Sequence, residues 1–406
     1  MAEILFLAHR IPYPPDRGDK IRSWHLLRHL GTLGRVHLAC FADDEEDKAH
    51  LPALRDAMGG ALGETHVEVR TLGKAEAGLR ALVTGKPVSL TLFDSAAIRA
   101  FVGRILERPA VETIFAFSGQ MAQFVPEGTG RRFVMDFGDM DSAKFAAYAR
   151  QGGPLAAIHR REAGKLFAFE KAVAARADVS LFVSDAEANL FRDSVDLPGA
   201  DIRALQNGVD LDYYDPSASL AAVEADGVEA DGPLIVFTGQ MDYSPNVDAV
   251  TWFARRVLPL IPAGRFAIVG RKPTEAVRAL AGERVIVTGA VADVRSWLAA
   301  ADVVVAPLRI ARGIQNKVLE AMAMARPVVA SPAAYEGIEA EPGRHLIVAD
   351  GEEAQAEAVT ALLADRLQAE TIGESARRRM EEAYRWDRRL EPLAALIAPG
   401  NRKAAA

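Results

Sequence analysis

Apolar residues recur along this chain in short unbroken runs, each followed by a stretch with helical spacing. In the first half the runs fall at 4–8, 36–41, 65–70, 113–117, 132–136 and 179–183. In the second half they fall at 234–238, 265–269, 285–288, 303–306, 328–330 and 346–348. Such runs, bounded by turn residues and alternating with helices, predict strands of parallel sheets buried on both faces. The fold class expected is α/β, with two Rossmann-like halves and a six-stranded sheet in each. Residues 216–233 interrupt the pattern with small, acidic and glycine-bearing positions, the composition of a linker or exposed insertion. The expected division is therefore 1–215, a linker at 216–233, and 234–380. A helical segment at 381–398 is expected to pack back on the first domain, with a frayed tail after Pro399. Two open sheets joined this way are expected to face a cleft with their strand C-terminal ends, where ligands of such sheets bind.

Composition narrows the chemistry. A chain of 406 residues, half apolar and a quarter charged, has room for two cores. Its formal charge of -7 argues against nucleic acid as a partner, because phosphate-backbone affinity needs clustered Lys and Arg. The single cysteine, Cys40, allows no internal disulfide and no cysteine-based zinc site, and ends an apolar run like a small core residue. No basic leader with a cleavage site precedes the first run, and no apolar segment approaches the ~18 residues of a membrane span. The expected location is cytoplasmic, with peripheral membrane contact left open. The dinucleotide fingerprint, the phosphate-loop pattern, H-E-x-x-H and G-x-S-x-G are all missing. Eight histidines lie without metal-ligand spacing, so neither a metal nor a cofactor is expected.

The most informative stretch runs from Ala306 to Ala330 and reads as strand, glycine-containing loop, helix, strand. Helical spacing puts Ile314, Val318, Ala321, Met322 and Ala325 on one apolar stripe, and Lys317, Glu320 and Met324 on a neighbouring face. A helix N-terminus is a seat for a diphosphate, and Gly313 lets backbone approach it. Lys317 could add charge against phosphate oxygens, and Glu320 could accept both ribose hydroxyls. The alternative is a solvated Lys–Glu pair one helical turn apart, contributing a few tenths of a kcal/mol.

Lys-Val-Leu-Glu-Ala-Met-Ala at 317–323, followed by Arg-Pro-Val-Val-Ala at 326–330, resembles the donor-site helix of the family-4 retaining glycosyltransferases. Asn207-Gly208-Val209-Asp210, the segment 237–248, Ile268-Val269-Gly270-Arg271, Val287-Thr288-Gly289 and Tyr335-Glu336-Gly337-Ile338 resemble further family segments in the family's order. The resemblance implies a GT-B fold and transfer of a sugar from a nucleoside-diphosphate sugar, which is a co-substrate and not a cofactor. It implies retention of anomeric configuration and no need for a metal. It assigns donor binding and catalysis to Lys317 and Glu320. Where many relatives carry a basic residue after the second domain's first strand this chain has Asn246, and Arg271 is taken as the substitute catalytic phosphate partner, because an arginine fork matches phosphate geometry. The donor contacts expected are Gly18, Asn246, Gly270, Thr288, Arg309, Gly313, Ile314, Gln315 and Asn316. The family's usual first Glu, eight residues before Glu320, is replaced by Arg312, so the contact to the donor sugar ring is not accounted for. Arg309 and Arg312 could serve a phosphate or stand solvated.

After the first run comes a proline-stiffened loop, His9 to Lys20, longer than the usual connection of ~2–6 residues. Gly18 would let backbone approach phosphates, and Arg17, Lys20 and Arg22 predict a basic mouth. Asp19 could cap the helix expected from about Ile21 or could take part in function. Asp136, Asp139 and Asp141 follow a strand's end, where acceptor-binding carboxylates or simple turns and caps are both expected. The run 10–30, with 134–144 and 162–171, resembles a bacterial sugar-transferase group associated with PEP-CTERM and exopolysaccharide systems. That resemblance implies a glycan or lipid-linked glycan acceptor, with Arg17, Asp19, Asp136, Asp139 and Asp141 on the acceptor side. His159, Arg160, Arg161 and Lys165 could face anionic lipid or water. Two rivals stand beside transfer: a nucleotide-sugar epimerase, and a protein that binds nucleotide sugars without catalysis.

Overall fold

The computed structural model describes residues 2–150, 152–223, 232–311 and 313–398. Residues 224–231 of the expected linker, Arg312 and the expected tail lie outside them. The chain divides into two units. The first holds residues up to Gln206 together with those from Leu390 onward, and the second runs Asn207–Arg389.

The first unit is built on seven parallel strands in the order β3-β2-β1-β4-β5-β6-β7. They are β1 (Glu3–Ala8), β2 (Arg35–Ala42), β3 (Leu62–Val69), β4 (Val111–Phe117), β5 (Arg132–Gly138), β6 (Val179–Phe182) and β7 (Ile202–Ala204). Six had been expected. The seventh, β7, is a three-residue edge strand with Arg203 exposed, so it carries no apolar run to betray it. Leu5, Leu7, Ala39, Ile114 and Met135 are fully enclosed in this unit's core. Cys40 is buried as expected, and burial pushes its thiol pKa up, which keeps it unreactive. The last described helix, Leu393–Ile397, packs at the N-terminal ends of β4 and β5. Its Leu396 and Ile397 carbonyls accept from Arg132 Nε at 2.9 Å and Thr113 Oγ1 at 3.0 Å.

The second unit holds six parallel strands in the order β10-β9-β8-β11-β12-β13. They are β8 (Leu234–Thr238), β9 (Arg265–Val269), β10 (Val285–Gly289), β11 (Val303–Ala306), β12 (Val328–Ala330) and β13 (Ile347–Val348). In both units the strand order runs outward from the first strand in each direction, the Rossmann arrangement. The helix expected around 314–325 is shorter, Asn316–Ala323. Ile314 precedes it, and Met324, fully buried in the core, is its C-cap. Ala325 follows with φ of +52°, which turns the chain out of the helix. Gly373 of the helix Arg366–Ala383 is needed there, because a Cβ would meet the Ala325 carbonyl at 2.2 Å.

Candidate functional site

In the second unit several loops converge at strand C-terminal ends. Gly270 has φ of +156°, and a Cβ on it would lie 1.6 Å from the Gly239 carbonyl. Only glycine lets the loops after β8 and β9 press together this way. Gly239 N donates to Val269 O at 3.0 Å, Met241 N to Arg271 O at 2.9 Å, and Gly270 N to Gly289 O at 3.2 Å. A Cβ on Gly239 would in turn lie 2.8 Å from Asn246 Nδ2 and 3.3 Å from Lys317 Nζ. The chain thus brings Gly270, Arg271, Asn246 and Lys317 together, four residues singled out from sequence.

Lys317 sits in the first turn of the helix Asn316–Ala323. Its ammonium donates to Asn246 Oδ1 at 2.5 Å and lies 4.6 Å from the centre of the Phe237 ring. Asn246 is itself fixed, since Nδ2 donates to Gln240 O at 2.9 Å. Burial lowers the Lys317 pKa to about 8, with Glu320 partly opposing the shift. Burial likewise raises the Glu320 carboxyl, against the opposing pull of Tyr214 and Lys317. Both side chains keep some contact with solvent. A lysine and a carboxylate enclosed to this degree differ from the solvated pair that sequence left open.

The N-cap residue Gln315 does not cap the helix with its side chain, which donates to Gly313 O at 3.0 Å. Gly313 has φ of +65°, a conformation glycine favours. Ile314 is buried against this loop, and Asn316 Oδ1 and Thr238 Oγ1 are enclosed without a hydrogen-bond partner among the described residues. Phe237 and Thr238 open the segment 237–248, yet the sequence assigns neither a role of its own; that role appears only once β8 lies beside Lys317.

Two predicted donor residues stand differently. Arg309 is exposed and makes a two-pronged contact to Asp248, Nε to Oδ2 at 2.9 Å and Nη2 to Oδ1 at 2.6 Å. Thr288 donates to Gly289 O at 2.8 Å and lines a hollow with Val287, Asp293 and Trp297, which Lys317 and Asn246 do not share.

The first unit corrects the expected basic mouth. Arg17 pairs with Asp43 at 2.7 Å and Asp19 at 3.1 Å, Lys20 with Asp47 at 2.7 Å, and Arg22 with Asp136 at 2.8 Å. The helix begins earlier than expected, Gly18–Leu33, with Gly18 its first residue and Arg17 at the N-cap. Asp19 therefore does not cap it. Its carboxylate takes His9 Nε2 at 3.1 Å and Arg10 Nη1 at 2.5 Å. Burial alone would raise this carboxyl, but His9, Arg10 and Arg17 hold it well below the ordinary range.

Of the three aspartates after β5, Asp136 is fully buried, accepting from Arg22 Nε at 3.0 Å and Gly138 N at 2.9 Å. Asp141 opens the helix Asp141–Arg150 and accepts from Gln120 Nε2 at 3.2 Å. Asp139 is exposed on one side but crowded on the other. That crowding, then Glu187 and Asp141, raises its pKa to about 6. Beside them Glu170, buried and accepting from Ser142 N at 3.0 Å and Ser142 Oγ at 2.5 Å, is raised by burial to about 7. Among the described residues no group of three or more His, Cys, Asp or Glu could hold a metal ion.

Residues 232–365 match the family described as "Glycosyl transferases group 1". No curated protein matches the chain. Among solved structures, the sucrose-phosphate synthase tll1590 from Thermosynechococcus elongatus is 18% identical, with a TM-score of 0.70 and 98% of each chain covered. Anabaena Alr3699/HepE, in complex with UDP and glucose, is 15% identical, with a TM-score of 0.67 over 98% of this chain and 99% of that one. WaaG, described as a glycosyltransferase involved in lipopolysaccharide biosynthesis, is 16% identical at 0.62 over 98% and 100%. The two parallel sheets are those of a GT-B fold, as the sequence led one to expect.

Proposed function

We propose that this protein is a glycosyltransferase that moves a sugar from a nucleoside-diphosphate sugar to a hydroxyl acceptor. The observation that carries this reading is the enclosed Lys317, held by Asn246 and Phe237 at the start of a helix where two glycine loops converge. The match of residues 232–365 to group 1 glycosyl transferases supports it, because that segment contains every one of these residues.

In this reading the diphosphate lies against the start of the helix Asn316–Ala323, whose N–H groups and partial positive charge suit an anion. Lys317 and Arg271 supply full charges, and Glu320 takes the ribose hydroxyls. As the bond from sugar to diphosphate breaks, negative charge grows on the leaving oxygen while the sugar gains oxocarbenium character. Positive groups already fixed in place stabilise that state more than the bound donor. The anomeric configuration is retained, and the departing diphosphate takes the acceptor's proton, so no separate base is assigned. The acceptor is a glycan or lipid-linked glycan of cell-surface or exopolysaccharide synthesis, with Arg17, Asp19, Asp139 and Asp141 on its side.

A panel of UDP-, GDP- and ADP-sugars, read by thermal shift and then by transfer to acceptors in a membrane extract, tests the proposal. Stabilisation by one donor class followed by acceptor-dependent product is the expected result. Conversion of donor alone would identify an epimerase instead, and binding without transfer to any acceptor a non-catalytic binder.

A further inference from the structure

The first unit carries an apolar surface that its core does not use. In the helix Lys74–Thr84, Ala77 and Ala81 are buried, whereas Leu79, Leu82 and Val83 point outward at 66%, 67% and 83% exposure. Their spacing of three and four makes one continuous stripe on the solvent side of a short helix. Two more large apolar side chains, Leu155 and Ile158, are more than half exposed at the start of the helix Ala156–Arg176. The two groups are neighbours. Arg161 Nη2, three positions beyond Ile158, donates to Ala81 O at 2.9 Å and Lys86 O at 3.2 Å. Glu162 accepts from Val88 N and Ser89 N, each at 2.8 Å, and ties the same helix to the segment that follows.

Charge around this stripe runs against the charge of the protein. Segments 74–86 and 150–165 together hold seven basic residues and two acidic ones, in a chain of net -7. Of the two acids, Glu162 is buried beneath the surface and Glu76 pairs with Arg80. Arg150, Arg160 and Lys165 stand exposed. Arg80 and Lys86 are also at the surface, Lys86 within 3.4 Å of Asp94.

We propose that this face docks on an anionic phospholipid surface, with Leu79, Leu82, Val83, Leu155 and Ile158 entering the headgroup boundary and the surrounding cations meeting lipid phosphates. An apolar stripe of this size is unfavourable in water and has no partner among the described residues. A fringe of lysine and arginine selects an anionic membrane over a neutral one, and over an acidic protein surface lacking an apolar phase to receive the leucines. The inference is independent of the donor chemistry in the second unit.

The test is co-sedimentation of the full chain with vesicles of phosphatidylcholine alone or with 30% phosphatidylglycerol (roughly a physiological anionic share). Three proteins are compared: wild type, L82S/V83S and R160E/K165E. All three should unfold at nearly the same temperature, because the altered side chains are exposed. Wild type should bind the anionic vesicles at least about tenfold tighter than the neutral ones. Each double variant should lose about tenfold or more, because each surface cation contributes roughly a fivefold factor and binding also scales with the apolar area that Leu82 and Val83 bury in the lipid boundary. Equal binding by all three proteins would overturn the proposal. So would failure of wild type to sediment with anionic vesicles. A self-association that L82S/V83S abolishes, without any lipid binding, would assign the stripe to a second copy of the chain instead.

Discussion

Lys317 and Asn246, 71 positions apart in sequence, meet as ammonium and amide oxygen at 2.5 Å. The contact has a cost. The lysine gives up most of its hydration for one neutral acceptor and an aromatic face, the pull of Glu320 offsets this only in part, and its pKa falls to about 8. A folded protein gains little from keeping a charge there, so the arrangement points to a ligand that supplies the missing negative charge.

Lys317→Met should therefore separate folding from binding. The substitution keeps the stem that packs on Phe237 and removes the desolvated charge, so thermal stability at pH 7 should hold or rise by about 1–3 kcal/mol. The donor-induced thermal shift should vanish. Differential scanning fluorimetry with and without donor reads both.

The same residue sets a pH dependence. Its folded pKa lies below the unfolded value near 10.5, so between about 8 and 10.5 the unfolded chain binds the extra proton. This group's contribution to stability therefore rises with pH across that window. Donor affinity moves the opposite way, because the ammonium is lost above about 8. The pH profile of kcat/KM for donor should fall with an apparent pKa near 8, and K317M should lack that limb.

Glu170 offers a second pH test, in the first unit. Its folded pKa of about 7 is raised above the unfolded value near 4.5, so the folded state binds more protons between these limits. Stability from this group is present below 4.5 and is lost as pH rises through 7. Glu170→Gln keeps an acceptor for Ser142 and removes the buried charge. Urea unfolding should show it stabilised by about 1–2 kcal/mol at pH 8 and little changed at pH 5.

Asp136 should behave as a structural residue. Its carboxylate, wholly enclosed, is matched by Arg22. Arg22→Met would strand that charge and should cost about 3–5 kcal/mol in urea unfolding. The double variant R22M/D136L should recover much of the loss.

Gly270→Ala should fail more severely than a typical glycine replacement. A Cβ would fall 1.6 Å from the Gly239 carbonyl, so the two loops must separate. A loss of roughly 2–4 kcal/mol, with the donor thermal shift gone, is expected.

Much of the fold was legible because parallel strands buried on both faces leave unbroken apolar runs, as β1 and β11 do. β7 escaped because three residues at a sheet edge need no such run. At the site, the local pattern of Lys317 and Glu320 was visible, but the enclosure of Lys317 was not, since it depends on Phe237 in β8 and Asn246 in the helix Ser244–Trp252. The first unit's charges misled for the same reason. Arg22 reads as a surface cation until the chain brings Asp136, 114 positions away, against it. Glu170 likewise takes its partner Ser142 from 28 positions away.

Calorimetric titration of the best nucleoside diphosphate into wild type, K317A and E320A at pH 7 tests the donor assignment most directly. Loss of Lys317 should weaken binding at least about tenfold, or about 1.4 kcal/mol. Loss of Glu320 should weaken the nucleoside diphosphate but leave inorganic pyrophosphate unaffected. Wild-type affinity in both variants would contradict the assignment of this helix to the donor.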